Sequence, residues 1–272
     1  MEASDHYRFH MSTGLGLRVD KVEPVRSLYL RLLKRCLTRD LFPDARLTSD
    51  LQSTHAFDPS LRQVGRDWPT EAETMIGMAR LDNVQACIED VVLEGVPGDL
   101  VETGVWRGGC AIFMRGVLKA WNITDRSVWL ADSFQGLPVA DEDLYIHDRG
   151  DRHSELKSYL GVSLEIVKEN FRRYELLDHQ VRFVPGWFRD TLPTAPIGSI
   201  AVLRLDGDMY ESTHVALSSL YPKLSLGGFV IIDDYGALPN CKAAVDDFRK
   251  AHSIDETMQE IDWTGVYWRR YS

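Results

Sequence analysis

Three aspartates combine the residue type and the placement needed to hold a divalent cation: Asp206, closing the largely apolar run 202–205, and the pair Asp233 and Asp234, closing the run 227–232. Short runs of Val, Ile, Leu and Phe predict buried parallel strands, and the acids then fall at the strands' C-terminal ends. Open α/β sheets bind their ligands at that edge. Hard carboxylate oxygens suit Mg²⁺, which takes a few of them and leaves its other octahedral positions to water and substrate. A single strand-end Asp more often caps a helix or opens a turn. Two such groups on strands joined by one crossover point to a shared metal site.

The strand predicted at 100–103 ends in Glu102, Thr103 and Gly104 and leads through Arg107 and Gly108 into a helix. Glycine after the strand lets the backbone turn tightly and approach a ligand. A dinucleotide site wants GxGxxG, which sets a helix N-terminus against a pyrophosphate; here the pattern is Glu102-x-Gly104-x-x-x-Gly108. A carboxylate at that strand end repels phosphate and attracts an ammonium group. The next strand, 127–131, runs into Asp132 and Ser133, and an acid at that point of a Rossmann-like sheet accepts hydrogen bonds from ribose hydroxyls. Alone, Asp132 is a weak signal. With Glu102 it describes a ligand that has both a ribose and an amino-acid tail, S-adenosylmethionine. The third strand, 181–185, ends in Gly186 and Trp187, an open backbone and an aromatic ring that could flank adenine; the other reading of Trp187 is plain core.

The elements that must position these residues alternate short apolar runs with helical periodicity after Pro97 and Gly98, the pattern of a βαβ sheet. Strands are predicted at 100–103, 127–131, 181–185, 200–205 and 229–232, with helices at 110–121, 164–174, 213–220 and 242–252 between and after them. Two alternating runs around Gly265 predict a terminal hairpin, so the α/β fold is a seven-stranded mixed sheet with one antiparallel strand. Residues 1–23 are polar and aperiodic and are read as flexible. Residues 24–96 are read as a helical cap, with one amphipathic helix opening at Pro24 in its first turn and a second helical region at 71–93. The domain proper is 97–272. Its connection 141–162 carries Asp141, Glu142, Asp143, His147, Asp148, Asp151 and His153 and is read as a mobile lid over the site, a merely solvated loop being the alternative.

With 41 acidic against 31 basic residues the net charge is −10, which disfavours nucleic acid as a partner because a phosphate backbone demands a concentrated positive surface. Cys36, Cys87, Cys110 and Cys241 are scattered without a CxxC pair and suit reduced thiols of a cytoplasmic protein. Nothing in the sequence reads as a membrane span or a signal peptide.

Over residues 68–270 the chain resembles the macrocin O-methyltransferase family of antibiotic-tailoring enzymes. The matching stretches are 74–78, 102–109, 131–134, 185–188, 206–208, 233–235 and 265–268. The resemblance implies a Rossmann-like class I methyltransferase fold, S-adenosylmethionine as donor, Mg²⁺ dependence, a homodimer, and a small-molecule acceptor: a hydroxyl of a deoxysugar on a glycosylated natural product, or alternatively a phenol. It makes Asp206, Asp233 and Asp234 the metal ligands, places Thr74 and Met75 with the cofactor, and makes Asp206 a candidate base. Related catechol enzymes use a lysine three residues after the first metal aspartate; Met209 stands there in this chain, so the proton falls to Asp206 or to His153 of the lid. A metal-dependent hydrolase would share the aspartates but would not need Glu102 with Asp132. A non-catalytic binding module is the other alternative, although such a module more often loses one of the acid groups.

Overall fold

The computed structural model describes residues 19–272. The N-terminal part runs α1 (Val19–Leu37), β1 (Arg46–Leu47), β2 (Thr54–His55), α2 (Pro59–Gln63), β3 (Trp68–Pro69) and α3 (Gly77–Leu93). The sheet domain follows as β4 (Asp99–Thr103), α4 (Gly109–Ala120), β5 (Val128–Asp132), α5 (Lys157–Leu160), α6 (Leu164–Arg173), β6 (Val181–Pro185), α7 (Phe188–Thr191), β7 (Ile200–Leu205), α8 (Tyr210–Leu220), β8 (Leu224–Ile232), α9 (Pro239–Ala251), β9 (Gln259–Glu260) and β10 (Val266–Arg269). The strand order is β6-β5-β4-β7-β8-β10-β9. The pairs from β6 to β8 are parallel, and β10 runs antiparallel to both β8 and β9. The expected seven-stranded sheet with one reversed strand is therefore present.

Alternation along the central strands splits the core between two faces. Leu100, Val202 and Ile231 pack with Leu81, Ile88, Phe113, Val117 and Phe171 from α3, α4 and α6. Val101, Leu203 and Val230 face the other way, onto Leu217 of α8, Val245 and Phe248 of α9, and Trp268. Burying both faces is what makes these strands read as continuous apolar runs. Arg204 interrupts one of those runs, on the face that α3 and α4 cover.

The N-terminal cap is less helical than its periodicity suggests. Strands β1 to β3 form a small antiparallel sheet of order β2-β1-β3, and the second helix starts only at Gly77. Residues 73 and 74 instead run past the start of α4, where the Gly109 N–H donates to the Glu73 carbonyl at 2.9 Å. Helix α1 begins at Val19, so Pro24 lies inside it rather than in its first turn; the missing proline N–H costs that helix one internal bond. The reading of a flexible N-terminus lies outside the described residues over 1–18.

The connection 141–162 is anchored in several places. The buried Asp148 carboxylate accepts the backbone N–H groups of Tyr210 and Glu211, at 2.7 and 2.9 Å, at the start of α8. Buried Tyr159 donates its hydroxyl to the Pro69 carbonyl at 2.8 Å, and the Trp106 indole donates to the Tyr159 carbonyl at 3.0 Å. The stretch 139–146 stays open, with Val139, Leu144 and Ile146 exposed. No helix among the described residues is long and apolar enough to cross a membrane.

Candidate active site

A cavity of about 560 Å³ opens at the C-terminal ends of β4, β5, β7 and β8. It forms there because parallel strands end together and their connections diverge to opposite faces. Gly104 brings two of those ends into contact: its φ is +77°, and a Cβ on it would fall 1.6 Å from the Asp206 carbonyl oxygen. Of the residues predicted for the cofactor, Glu102, Gly104, Asp132, Ser133, Trp187, Thr74 and Met75 line the cavity, as do Asp206, Asp233, Asp234 and His153.

Four predicted positions lie off the cavity wall. Thr103 is fully buried. Arg107 donates to the Ala72 carbonyl at 2.9 Å and packs over the Trp106 ring, where it ties down the N-terminal segment. Gly108, at φ +85°, turns the chain into α4, and a Cβ there would meet Val167 of α6 at 2.8 Å. The Gly186 N–H donates to the Asp132 carbonyl at 2.9 Å. Their motif positions carry them along the same turns as the lining residues, behind the cavity wall.

The acids divide into two environments. Asp206, Asp208 and Asp234 each bring an oxygen within 4.8 Å of the others. Asp233, predicted as a ligand, is instead gripped by the Arg204 and Arg80 guanidinium groups, one on each carboxylate oxygen. In this structure Asp233 therefore stands apart from that group, its side chain paired with two cations of the chain itself. Burial alone would raise the Asp233 pKa, but Arg204 and Arg80 hold it below the usual carboxylate range. Burial pushes Asp206 up to about 8, with the Asp233 charge adding to it, and Asp208 up to about 6. Asp234 rises well above its ordinary value through burial and the charges of Asp208 and Asp206. Its Oδ2 is buried and accepts no hydrogen bond. Three crowded carboxylates lacking sufficient positive charge and a buried orphan oxygen are what a hard divalent cation would satisfy, so the residues fit Mg²⁺.

The donor side shows a similar deficit. Glu102 is fully buried, its Oε1 accepts from Arg204 at 2.6 Å, and its Oε2 takes no bond from a nitrogen or oxygen donor. Burial pushes its pKa up to about 7, against the opposing charge of Arg204 and a hydrogen bond from the Cys110 thiol. Asp132 accepts the Val105 and Phe134 N–H groups at 2.7 and 2.6 Å, one on each oxygen; each oxygen retains a further lone pair. Ser133 builds the adjoining turn, donating to the Gly136 carbonyl and accepting the Gln135 N–H.

His153 meets the cavity from the connection 141–162, its Nδ1 2.8 Å from Asp151 Oδ2. That hydrogen bond, followed by the charge of Asp208, raises its pKa above the ordinary value. The sequence singles out the histidine but not its partner. It also leaves Asp208 unassigned although the residue stands in the Asp206-Gly207-Asp208 run; the non-glycine φ of +56° at Asp208 marks a constrained backbone of the kind found at functional sites. Arg204 is legible as the one charge in an apolar strand. Arg80 offers no local signal, because its partners lie far along the chain.

The strand order and the ligand edge define a class I methyltransferase. The Macrocin-O-methyltransferase (TylF) family model matches residues 26–270, and the chain belongs to that family; it is an O-methyltransferase. It is 53% identical over 245 residues to demethyldecarbamoylnovobiocin O-methyltransferase of Streptomyces niveus, covering 90% of this chain and 94% of that protein. It is 55% identical over 247 residues to the 8-demethyl-8-(2,3-dimethoxy-alpha-L-rhamnosyl)-tetracenomycin-C 4'-O-methyltransferase of Streptomyces olivaceus, covering 91% and 94%. The solved structure of the O-methyltransferase NovP superposes with a TM-score of 0.87 at 52% identity, over 91% of this chain and 100% of that one.

Proposed function

We propose that the protein transfers the methyl group of S-adenosylmethionine to a sugar hydroxyl of a glycosylated natural product, with Mg²⁺ in the aspartate cluster. The observation that carries this reading is the cluster of Asp206, Asp208 and Asp234 in the same cavity as Glu102 and Asp132. The tetracenomycin relative, whose name specifies a rhamnosyl substrate and a 4' oxygen, supports the sugar as acceptor.

In this reading Glu102 receives the donor's ammonium group and Asp132 its ribose, which fixes the donor at the ends of β4 and β5. Asp206, Asp208 and Asp234 hold the cation. When bound, the cation would lower the pKa of the acceptor hydroxyl and the sulfonium would make its methyl electrophilic. Asp206 is poorly placed to take the proton, since it also accepts a hydrogen bond from Arg204 at 3.0 Å. His153 is better suited, because with its proton on Nδ1 donated to Asp151 its Nε2 is a free base. Trp68, Trp106, Trp187 and Trp263 also line the cavity and give the acceptor apolar faces that exclude water.

The test is methyl transfer followed by mass spectrometry, with purified protein, S-adenosylmethionine and Mg²⁺, on rhamnosylated aromatic polyketides and their aglycones. The expected product gains one methyl on the sugar and none forms in EDTA. Methylation of an aglycone phenol instead would replace the sugar reading with the phenolic one.

A further inference from the structure

Resting on the donor and cation reading above, we propose that Arg204 is a positioning residue that sets both sites at once, the donor's through Glu102 and the cation's through Asp206. Arg204 lies on β7, whose residues are all buried, between β4 and β8. Its guanidinium reaches the ends of all three strands. Nη1 donates to Glu102 Oε1 at 2.6 Å, and Nη2 donates to Asp206 Oδ2 at 3.0 Å and to Asp233 Oδ1. The side chain is 1% exposed.

Stability gives little reason to keep this arrangement, because a buried ion pair often adds nothing over apolar side chains of the same volume. What arginine supplies is geometry. Its planar fork fixes the angle between Nη1 and Nη2, and so fixes the Glu102 carboxylate relative to that of Asp206. Lysine is a single point charge on a flexible stem and cannot hold both. Arg80 provides the internal comparison: it is also buried and also grips Asp233, but its other carboxylate is Asp262, 3.0 Å away, and it donates to neither Glu102 nor Asp206.

Titration calorimetry with S-adenosylhomocysteine and with Mn²⁺, on the full chain and its Arg204→Lys and Arg80→Lys variants, separates these roles. Arg204→Lys is expected to weaken both ligands by about tenfold, the scale of one charge-assisted hydrogen bond. Arg80→Lys should leave both S-adenosylhomocysteine and Mn²⁺ within about twofold of the wild type on the same scale. Should Arg204→Lys fail to fold, Glu102→Gln reads the bridge from its other end: Mn²⁺ affinity should fall although Glu102 does not belong to the cation cluster. Unchanged S-adenosylhomocysteine affinity in folded Arg204→Lys, equal losses in both arginine variants, or unchanged Mn²⁺ affinity in Glu102→Gln overturns the assignment of Arg204. A wild type that binds no S-adenosylhomocysteine overturns the donor reading itself.

Discussion

Asp233 and Asp234 are adjacent in sequence, are both placed at the end of β8 and line the same cavity, yet their surroundings are opposite. Asp233 has a guanidinium on each oxygen and a depressed pKa; Asp234 has an unbonded buried oxygen, acidic neighbours and a raised pKa. Asp233, whose N–H still donates to the Leu205 carbonyl at 2.9 Å, keeps the parity of Ile231, on the face that carries Arg204 and is covered by α3 with Arg80, while Asp234 lies in the bend beyond the strand. One carboxylate is thus paired within the scaffold, and the other keeps an oxygen without a donor.

The largest expected effect lies on the ligand side. Asp234→Asn or Asp206→Asn should lower turnover by about 10⁴-fold, because each removes a cation ligand and the charge stabilisation that depends on it. Asp234→Asn should not lower the melting temperature, since it relieves repulsion among crowded carboxylates, whereas Asp206→Asn also removes a charge that faces buried Arg204. EDTA should mimic the loss in the wild type and Mg²⁺ should reverse it; retained activity with the metal removed would end the metal mechanism. On the scaffold side, Asp233→Asn leaves two buried guanidinium groups short of charge and should cost about 3–5 kcal/mol in denaturant unfolding. Equal stabilities of the Asp233→Asn and Asp234→Asn variants would erase the contrast.

Asp132 is intermediate, with both oxygens bonded but only by neutral N–H groups. Asp132→Ala should weaken S-adenosylhomocysteine binding by about 1.5–3 kcal/mol, measured by calorimetry, and an unchanged affinity would move the ribose elsewhere. The smallest effect is a displacement of the pH profile. A neutral His153 is needed to accept the proton, so turnover should rise as pH increases through its raised pKa. Asp151→Asn removes the hydrogen bond that contributes most to that elevation, so the rising limb should move to lower pH. A limb that stays in place would take the base role away from His153.

The sheet was readable because its information is local. Each of 100–103, 127–131, 181–185 and 200–205 is a short apolar run bounded by turn residues, and the observed strands agree to within one residue at each end. Strand β8 starts at Leu224 rather than near Phe229, hidden by Gly227 and Gly228, which weaken a strand signal without ending the strand. The cap was harder. Two-residue strands such as β1 and β3 are too short to show a period, and the Arg62 guanidinium, bonded to Asp44 and Asp67 at 2.6 and 2.8 Å, ties their segments together across the sequence.

The sequence by itself determined the α/β class, the strand ends that carry Glu102, Asp132, Asp206 and Asp234, and the family, because these depend on residue order over a few positions. Tertiary structure decided which acids are free. Asp233 meets Arg80 across 153 positions and Arg204 across 29, and Asp148 ties the connection 141–162 to α8 across 62. A carboxylate's role is set by the charges and donors within a few ångströms of it, and that neighbourhood exists only after the strands have come together.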